Sequence, residues 1–242
     1  MTQYHLRVAA SAEDLAQQVA EQVASQIGLA LAQRDRAQIA LAGGETPRPA
    51  YARLGAEHLP WDRVDVLLGD ERWVPPDDPA SNARMLGETL LAQAPARHAS
   101  FHPVPTEEET PEASALAYAQ RLANLCPGEL PVFDVILLGL GDDGHTASLF
   151  PGSAALGVVD RSVTVGEGKG LPRITLTAPV LSAARQVIFL VSGAAKRQAL
   201  GRLLEAQEPV ERTPARLVRP AREVLILADA DAAAGLPERV TA

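Results

Sequence analysis

The residues best suited to chemistry lie in one stretch, Phe133 to Ser153, which reads FDVILLGLGDDGHTASLFPGS. His145 is the candidate general base. Imidazole is the side chain whose ordinary pKa lies near neutrality, and a group that deprotonates water for attack on an ester must work there. Asp143, two residues earlier, could orient the ring or stabilise the imidazolium. The competing reading is a histidine that merely caps its own backbone at a helix start; its place in a glycine loop after an apolar run favours chemistry. Gly139, Gly141 and Gly144 also spell G-x-G-x-x-G, with Asp160 about twenty residues on, the pattern of a dinucleotide fingerprint. Two features oppose that reading. Asp142 and Asp143 would set negative charge beside a pyrophosphate, and Pro151-Gly152 would interrupt the helix such a unit needs after the third glycine. A sugar-phosphate site therefore ranks above a dinucleotide site. Ser148 is a weak nucleophile candidate, because no G-x-S-x-G surrounds it.

Three further segments carry candidate ligand groups. Gly43-Gly44-Glu45-Thr46-Pro47 follows a short apolar run. Thr46 can cap a helix with Pro47 in its first position, leaving free amides and a dipole end suited to phosphate. A tight turn with an ordinary cap fits those residues equally well. Gly69-Asp70-Glu71-Arg72 packs opposite charges directly after another apolar run, either as a structural ion pair or as part of a site. Lys196 falls in the expected first turn of a late helix, where it could direct a charge at a phosphate, and Arg173 is a further cation on an alternating strand. The chain has only two lysines, Lys169 and Lys196. The remaining histidines have no metal-ligand spacing, Cys126 reads as structural, and no calcium loop occurs, so no metal is expected.

These groups need a scaffold. The runs Tyr4–Val8, Gln38–Ala42, Val64–Leu68, Val132–Leu138, Gln186–Val191 and Val224–Ala228 read as strands, alternating with helices over Ala12–Arg34, Pro47–Leu54, Ser81–Leu91, Glu112–Leu125, up to Leu204, and from Asp231. That alternation predicts an α/β fold: a doubly wound, mainly parallel sheet with helices on both faces. Val158–Val165 and Arg173–Thr177, joined by Gly166–Gly170, predict a small antiparallel appendage near 155–180. Residues 1–242 read as a single domain. In such sheets ligands bind beyond the carboxyl ends of the strands, where all these loops fall.

The bulk composition narrows the classes. A net charge of −8 argues against nucleic acid as a partner and requires any anionic substrate to find a local positive pocket. No apolar stretch has membrane-spanning length, no secretory signal is visible, and one cysteine permits no internal disulfide, which together fit the cytoplasm. Monomer and dimer both remain open.

AGGETP (42–47), GDERWVP with SNARM (69–75, 81–85), GLGDDGHTASLFPG (139–152), RITLT (173–177) and SGAAKRQAL (192–200) together resemble the 6-phosphogluconolactonase family of the pentose phosphate pathway. The resemblance implies hydrolysis of a sugar-phosphate lactone, 6-phospho-D-glucono-1,5-lactone, on a fold shared with glucosamine-6-phosphate isomerases/deaminases, without metal or cofactor. Carried onto this chain, it makes His145 the base, Asp70 and Arg72 active-site residues, and Gly43, Gly44, Thr46, Arg173 and Lys196 substrate or phosphate contacts. The deaminase relatives carry a glutamate before a proline five residues past the histidine; here that position is Phe150, which favours the lactonase. A non-catalytic sugar-phosphate or dinucleotide sensor is the alternative from another class.

Overall fold

Strands buried on both faces are written as unbroken apolar runs. Such runs build the centre of this protein, whose computed structural model describes residues 2–236. The strands are β1 (Tyr4–Ala9), β2 (Ala37–Leu41), β3 (Val64–Leu68), β4 (Asp70–Arg72), β5 (Ser100–Phe101), β6 (Val135–Gly139), β7 (Val163–Gly168), β8 (Leu171–Leu176), β9 (Val187–Val191) and β10 (Val224–Asp229). The helices are α1 (Ala12–Leu31), α2 (Arg48–Ala56), α3 (Asn82–Glu88), α4 (Pro111–Leu125), α5 (Ala178–Ala183), α6 (Arg197–Leu204) and α7 (Ala230–Ala233). A seven-stranded parallel sheet runs in the order β1-β10-β9-β6-β2-β3-β5. β3, β9 and all of β6 except Gly139 are buried, as the apolar runs require.

The order of strands positions the site. From β2 the chain moves outward to β3 and β5; from β6 it moves the other way, to β9 and β10. Right-handed crossovers in opposite directions put helices on opposite faces, and the reversal between β2 and β6 is a topological switch point. The ladder there is short. It pairs Ile39 with Val135 and Ala40 with Ile136 and stops, although both strands continue. The two strand tips separate, and the loops after β2 and β6 flank the opening.

The expected appendage exists and is larger than its sequence showed. β7 and β8 form an antiparallel hairpin, and β4 joins it as a third strand in the order β4-β8-β7. Asp70-Glu71-Arg72 is thus a strand rather than a free loop. Other boundaries shift. β7 starts at Val163 rather than Val158, α3 ends at Glu88 with Ser81 as its cap, and a 3₁₀ turn over Ala194–Lys196 precedes α6. β5, a two-residue edge strand, has no signature in the sequence. α1 follows expectation closely: Ser11 Oγ accepts from the Asp14 amide at 3.1 Å, and Leu15, Val19, Val23 and Ile27 are buried. Among the described residues no helix is long and apolar enough to cross a membrane. Cys126 is buried, and burial pushes its thiol up to about 11, as a structural cysteine requires.

Candidate active site

A cleft of about 210 Å³ opens at the switch point, beyond the carboxyl ends of β2, β3, β6 and β9. Gly43, Gly44, Thr46, Asp70, Arg72, His145, Arg173 and Lys196, each singled out from sequence, all line it. Asp143 stands behind His145.

The loop after β6 is built to hold an imidazole. The Gly141 amide donates to the His145 carbonyl at 2.8 Å, and the Gly144 amide to the Gly141 carbonyl at 3.0 Å. Gly144 takes φ +93°, a left-handed conformation open to glycine. Asp143 Oδ1 lies 2.6 Å from His145 Nδ1 and also accepts the His145 amide at 3.0 Å. The imidazole stacks on the Phe150 ring, with centroids 4.2 Å apart. Burial is the main influence on His145 and lowers its pKa; Asp143 pulls in the opposite direction. Burial would raise the Asp143 pKa, but hydrogen bonds from the His145 amide and ring outweigh it and hold the carboxyl below its ordinary value. Near neutrality the pair is therefore carboxylate and neutral imidazole. The proton sits on Nδ1, facing Asp143, and Nε2 keeps its lone pair.

Activity that needs the neutral imidazole falls as pH drops through the His145 pKa, which burial holds below the ordinary histidine value. Asp143→Asn removes the charge that raises that pKa, so the acid limb of kcat/KM is expected to move to lower pH while kcat falls. A pH–rate profile checks this; a limb displaced upward would contradict it.

The antiparallel sheet supplies the cations. Its register sets Asp70 opposite Thr175 and Arg72 opposite Arg173. Strand alternation turns Glu71 the other way. There its carboxylate accepts the amides of Arg72 at 2.8 Å, Asn82 at 2.8 Å and Ala83 at 2.7 Å, plus the Ser81 hydroxyl at 3.2 Å, at the start of α3. Asn82 is the link back to the cleft: its Oδ1 accepts from Arg72 Nη1 at 2.5 Å, and its Nδ2 donates to the Asp70 carbonyl at 2.8 Å. Gly43 leaves room for it, since a Cβ there would lie 1.8 Å from Asn82 Oδ1.

Arg72 and Arg173 are direct cross-strand neighbours on one face of this ladder, and like charges so placed cost stability unless an anion compensates them. Asp70 does so in part. It lies 3.8 Å from Arg173 Nη1 and is itself held by the Ser148 hydroxyl at 2.5 Å. Ser148 is fully buried in that contact, which removes it as a nucleophile. Arg173 is only 7% exposed; burial lowers its pKa and Arg72 adds to the effect, while Asp70 opposes them. The pair is suited to a ligand oxyanion or phosphoryl group.

On the opposite side, Thr46 is not the cap expected of it. Pro47 takes the cap position, α2 begins at Arg48, and no side chain caps it. The helix thus starts one residue later than expected, and Thr46 lines the cleft. The amides of Gly43, Gly44, Glu45 and Thr46 donate to no acceptor among the described residues. Lys196 has no ion-pair partner among them either, and Ser192 beside it donates to Asp229 at 2.6 Å, tying the tips of β9 and β10 together.

The glycine fingerprint is not a dinucleotide site. No α-helix follows Gly144; the chain goes through a 3₁₀ turn at Ala154–Gly157 into β7, and Asp160 is an exposed partner of Arg161 at 2.9 Å. Four contributors escaped sequence reasoning in their roles: Asn82, Glu71, Phe150 and Lys169. The one usable signal was the rarity of lysine, because both lysines line the cleft. Among the described residues no cluster of His, Cys, Asp and Glu could hold a metal.

A doubly wound α/β enzyme with an imidazole–carboxylate pair and a cationic cleft at its switch point is the class that fold and site define. The family model for glucosamine-6-phosphate isomerases/6-phosphogluconolactonase matches residues 10–227, and the chain belongs to that family. It is 45% identical over 217 residues to the 6-phosphogluconolactonase of Synechocystis sp., covering 88% of this chain and 90% of that protein. The solved structure of 6-phosphogluconolactonase from Trypanosoma brucei superposes with a TM-score of 0.87 at 34% identity, covering 98% of this chain and 100% of that one. A 6-phosphogluconolactonase from Shewanella baltica gives 0.85 at 32% identity, covering 95% and 98%.

Proposed function

We propose that this chain hydrolyses 6-phospho-D-glucono-1,5-lactone to 6-phospho-D-gluconate, with His145 activating the water. The observation that carries the reading is the imidazole, tied through Nδ1 to Asp143, lining the same cleft as the cross-strand neighbours Arg72 and Arg173. Nε2 takes a proton from water as the oxygen attacks the lactone carbonyl. The tetrahedral oxyanion is stabilised by Arg72, a preorganised donor of the kind worth about 3–4 kcal/mol. Collapse breaks the bond from the carbonyl carbon to the ring oxygen, which leaves with the proton held on the imidazolium. Asp143 stabilises that imidazolium, and Asp70 holds Arg173 in place. The phosphate is gripped by the amides of Gly43 to Thr46 and by Lys196, its binding orients the distant carbonyl, and Arg173 contacts the substrate nearer His145.

Deamination of glucosamine 6-phosphate is disfavoured. Where the deaminase relatives place a glutamate, the Phe150 ring packs on His145 and lies 5.4 Å from the Arg173 guanidinium carbon, so no carboxylate is available there. The test is hydrolysis of the lactone at neutral pH, above the spontaneous rate, with and without a chelator. The expected outcome is turnover unchanged by chelation. Ammonia release from glucosamine 6-phosphate, or a rate no higher than background, would overturn the reading.

A further inference from the structure

Of the 22 Lys and Arg residues in the chain only two are lysine, and both line the cleft. Lys196 already has a role; Lys169 does not. Lys169 opens the turn joining β7 to β8, at φ +55°, followed by Gly170 at φ +78°. Hairpin turns with two positive-φ residues favour Asn, Asp or Gly at the first. A lysine there goes against local preference, and such residues cluster at functional sites.

The turn is fixed relative to the proposed base. Phe150 stacks on His145, and the same ring leaves no room for a side chain at Gly168, where a Cβ would lie 2.3 Å from it. Arg173 Nε donates to the Gly168 carbonyl at 3.1 Å. The residue after Gly168 is thus held at the His145 end of the cleft. Its charge reaches both His145 and Asp143. Lys169 has no hydrogen-bond or ion-pair partner among the described residues, and its side chain is exposed.

We propose that Lys169 contacts the substrate, its ammonium taking the carboxylate that ring opening creates. The inference rests on the hydrolase reading. Hydrolysis turns an uncharged carbonyl end into an anion beside His145, and a cation without a partner there meets charge that is absent from the substrate. The charged groups around His145 are Asp143 on its own loop, Asp70 and Arg72 on β4, Arg173 on β8 and Lys169 at the turn.

The experiment compares Lys169→Gln, Lys169→Arg and Lys169→Asn with wild type. Lys169→Gln is expected to weaken inhibition by 6-phosphogluconate about tenfold, the scale of one charge-assisted contact. Inhibition by glucitol 6-phosphate, which has the phosphate and no carboxylate, stays at its wild-type level. The acid limb of kcat/KM moves up in pH, the opposite of Asp143→Asn, because a cation near His145 has gone. Lys169→Arg restores both readouts. Asparagine suits the left-handed turn, so Lys169→Asn keeps or raises Tm while showing the same loss as glutamine. Equal weakening of both inhibitors, no change in either, or a loss that follows a fall in Tm would each overturn the proposal. Wild type that fails to exceed spontaneous hydrolysis sinks the hydrolase reading itself; active wild type with unaffected variants sinks only the role of Lys169.

Discussion

His145→Ala is expected to lower kcat by about 10²–10⁴-fold, the range over which a positioned general base contributes, with KM close to wild type. The ring is the group with a free lone pair next to the proposed reacting carbon, and the residues proposed to hold the phosphate lie on other loops. Stability should change little. The side chain stays 17% exposed and packs chiefly on Phe150, so its removal opens a gap at the mouth of a cleft rather than a closed cavity. The residual rate reflects oxyanion stabilisation and binding alone, as when one member of a catalytic unit is removed elsewhere. Because the lactone also opens unaided, the measurement is initial rate with the spontaneous rate subtracted, together with a thermal melt. An enzymatic rate equal to wild type would show that another group activates the water.

Gly141→Ala should come near the same result without touching a titratable group. A Cβ at Gly141 would lie 2.0 Å from His145 Nδ1, 2.3 Å from its Cε1 and 2.5 Å from Asp143 Oδ1. None of these separations is tolerable, so the imidazole and its carboxylate must move. A displacement of about 1 Å can cost on the order of 10²-fold in rate, and that is the expected loss in kcat. Backbone strain is not the cause. The positive-φ glycines include Gly144 and exclude Gly141, so alanine fits the chain there and the fold should persist. Gly157→Ala makes the comparison clean: a Cβ at that position meets nothing within 4 Å, and wild-type activity is expected. Kinetics of both variants, with a circular-dichroism melt, check the argument. Full activity in Gly141→Ala would mean that the observed ring position is not the working one.

How far the site was legible in sequence varied by element. β3, β6 and β9 could be read directly, because strands buried on both faces must be written as apolar runs. The glycine–histidine loop was legible because glycines, carboxylates and imidazole in one short segment have few structural uses together. β4 was not. Asp70-Glu71-Arg72 carries no apolar alternation, and it becomes a strand through pairing with β8, far along the chain. Thr46 was misjudged as a cap because neighbouring residues can each take that position, and here Pro47 holds it. Glu71 and Asn82 read as ordinary polar residues until α3 is placed over β4.

By itself the sequence determined the inventory: which strands are buried, where their loops begin, that His145 follows a buried strand with Asp143 within reach, and that two lysines persist among arginines. Tertiary structure alone decided which of these groups meet. The reversal of direction between β2 and β6 opens the cleft, and the β4–β8 register sets Arg72 and Arg173 side by side along it. Local preference sets the type of an element, because it acts through neighbouring dihedrals. The facing of two side chains from distant segments is set by register and crossover direction, which no short window of residues contains.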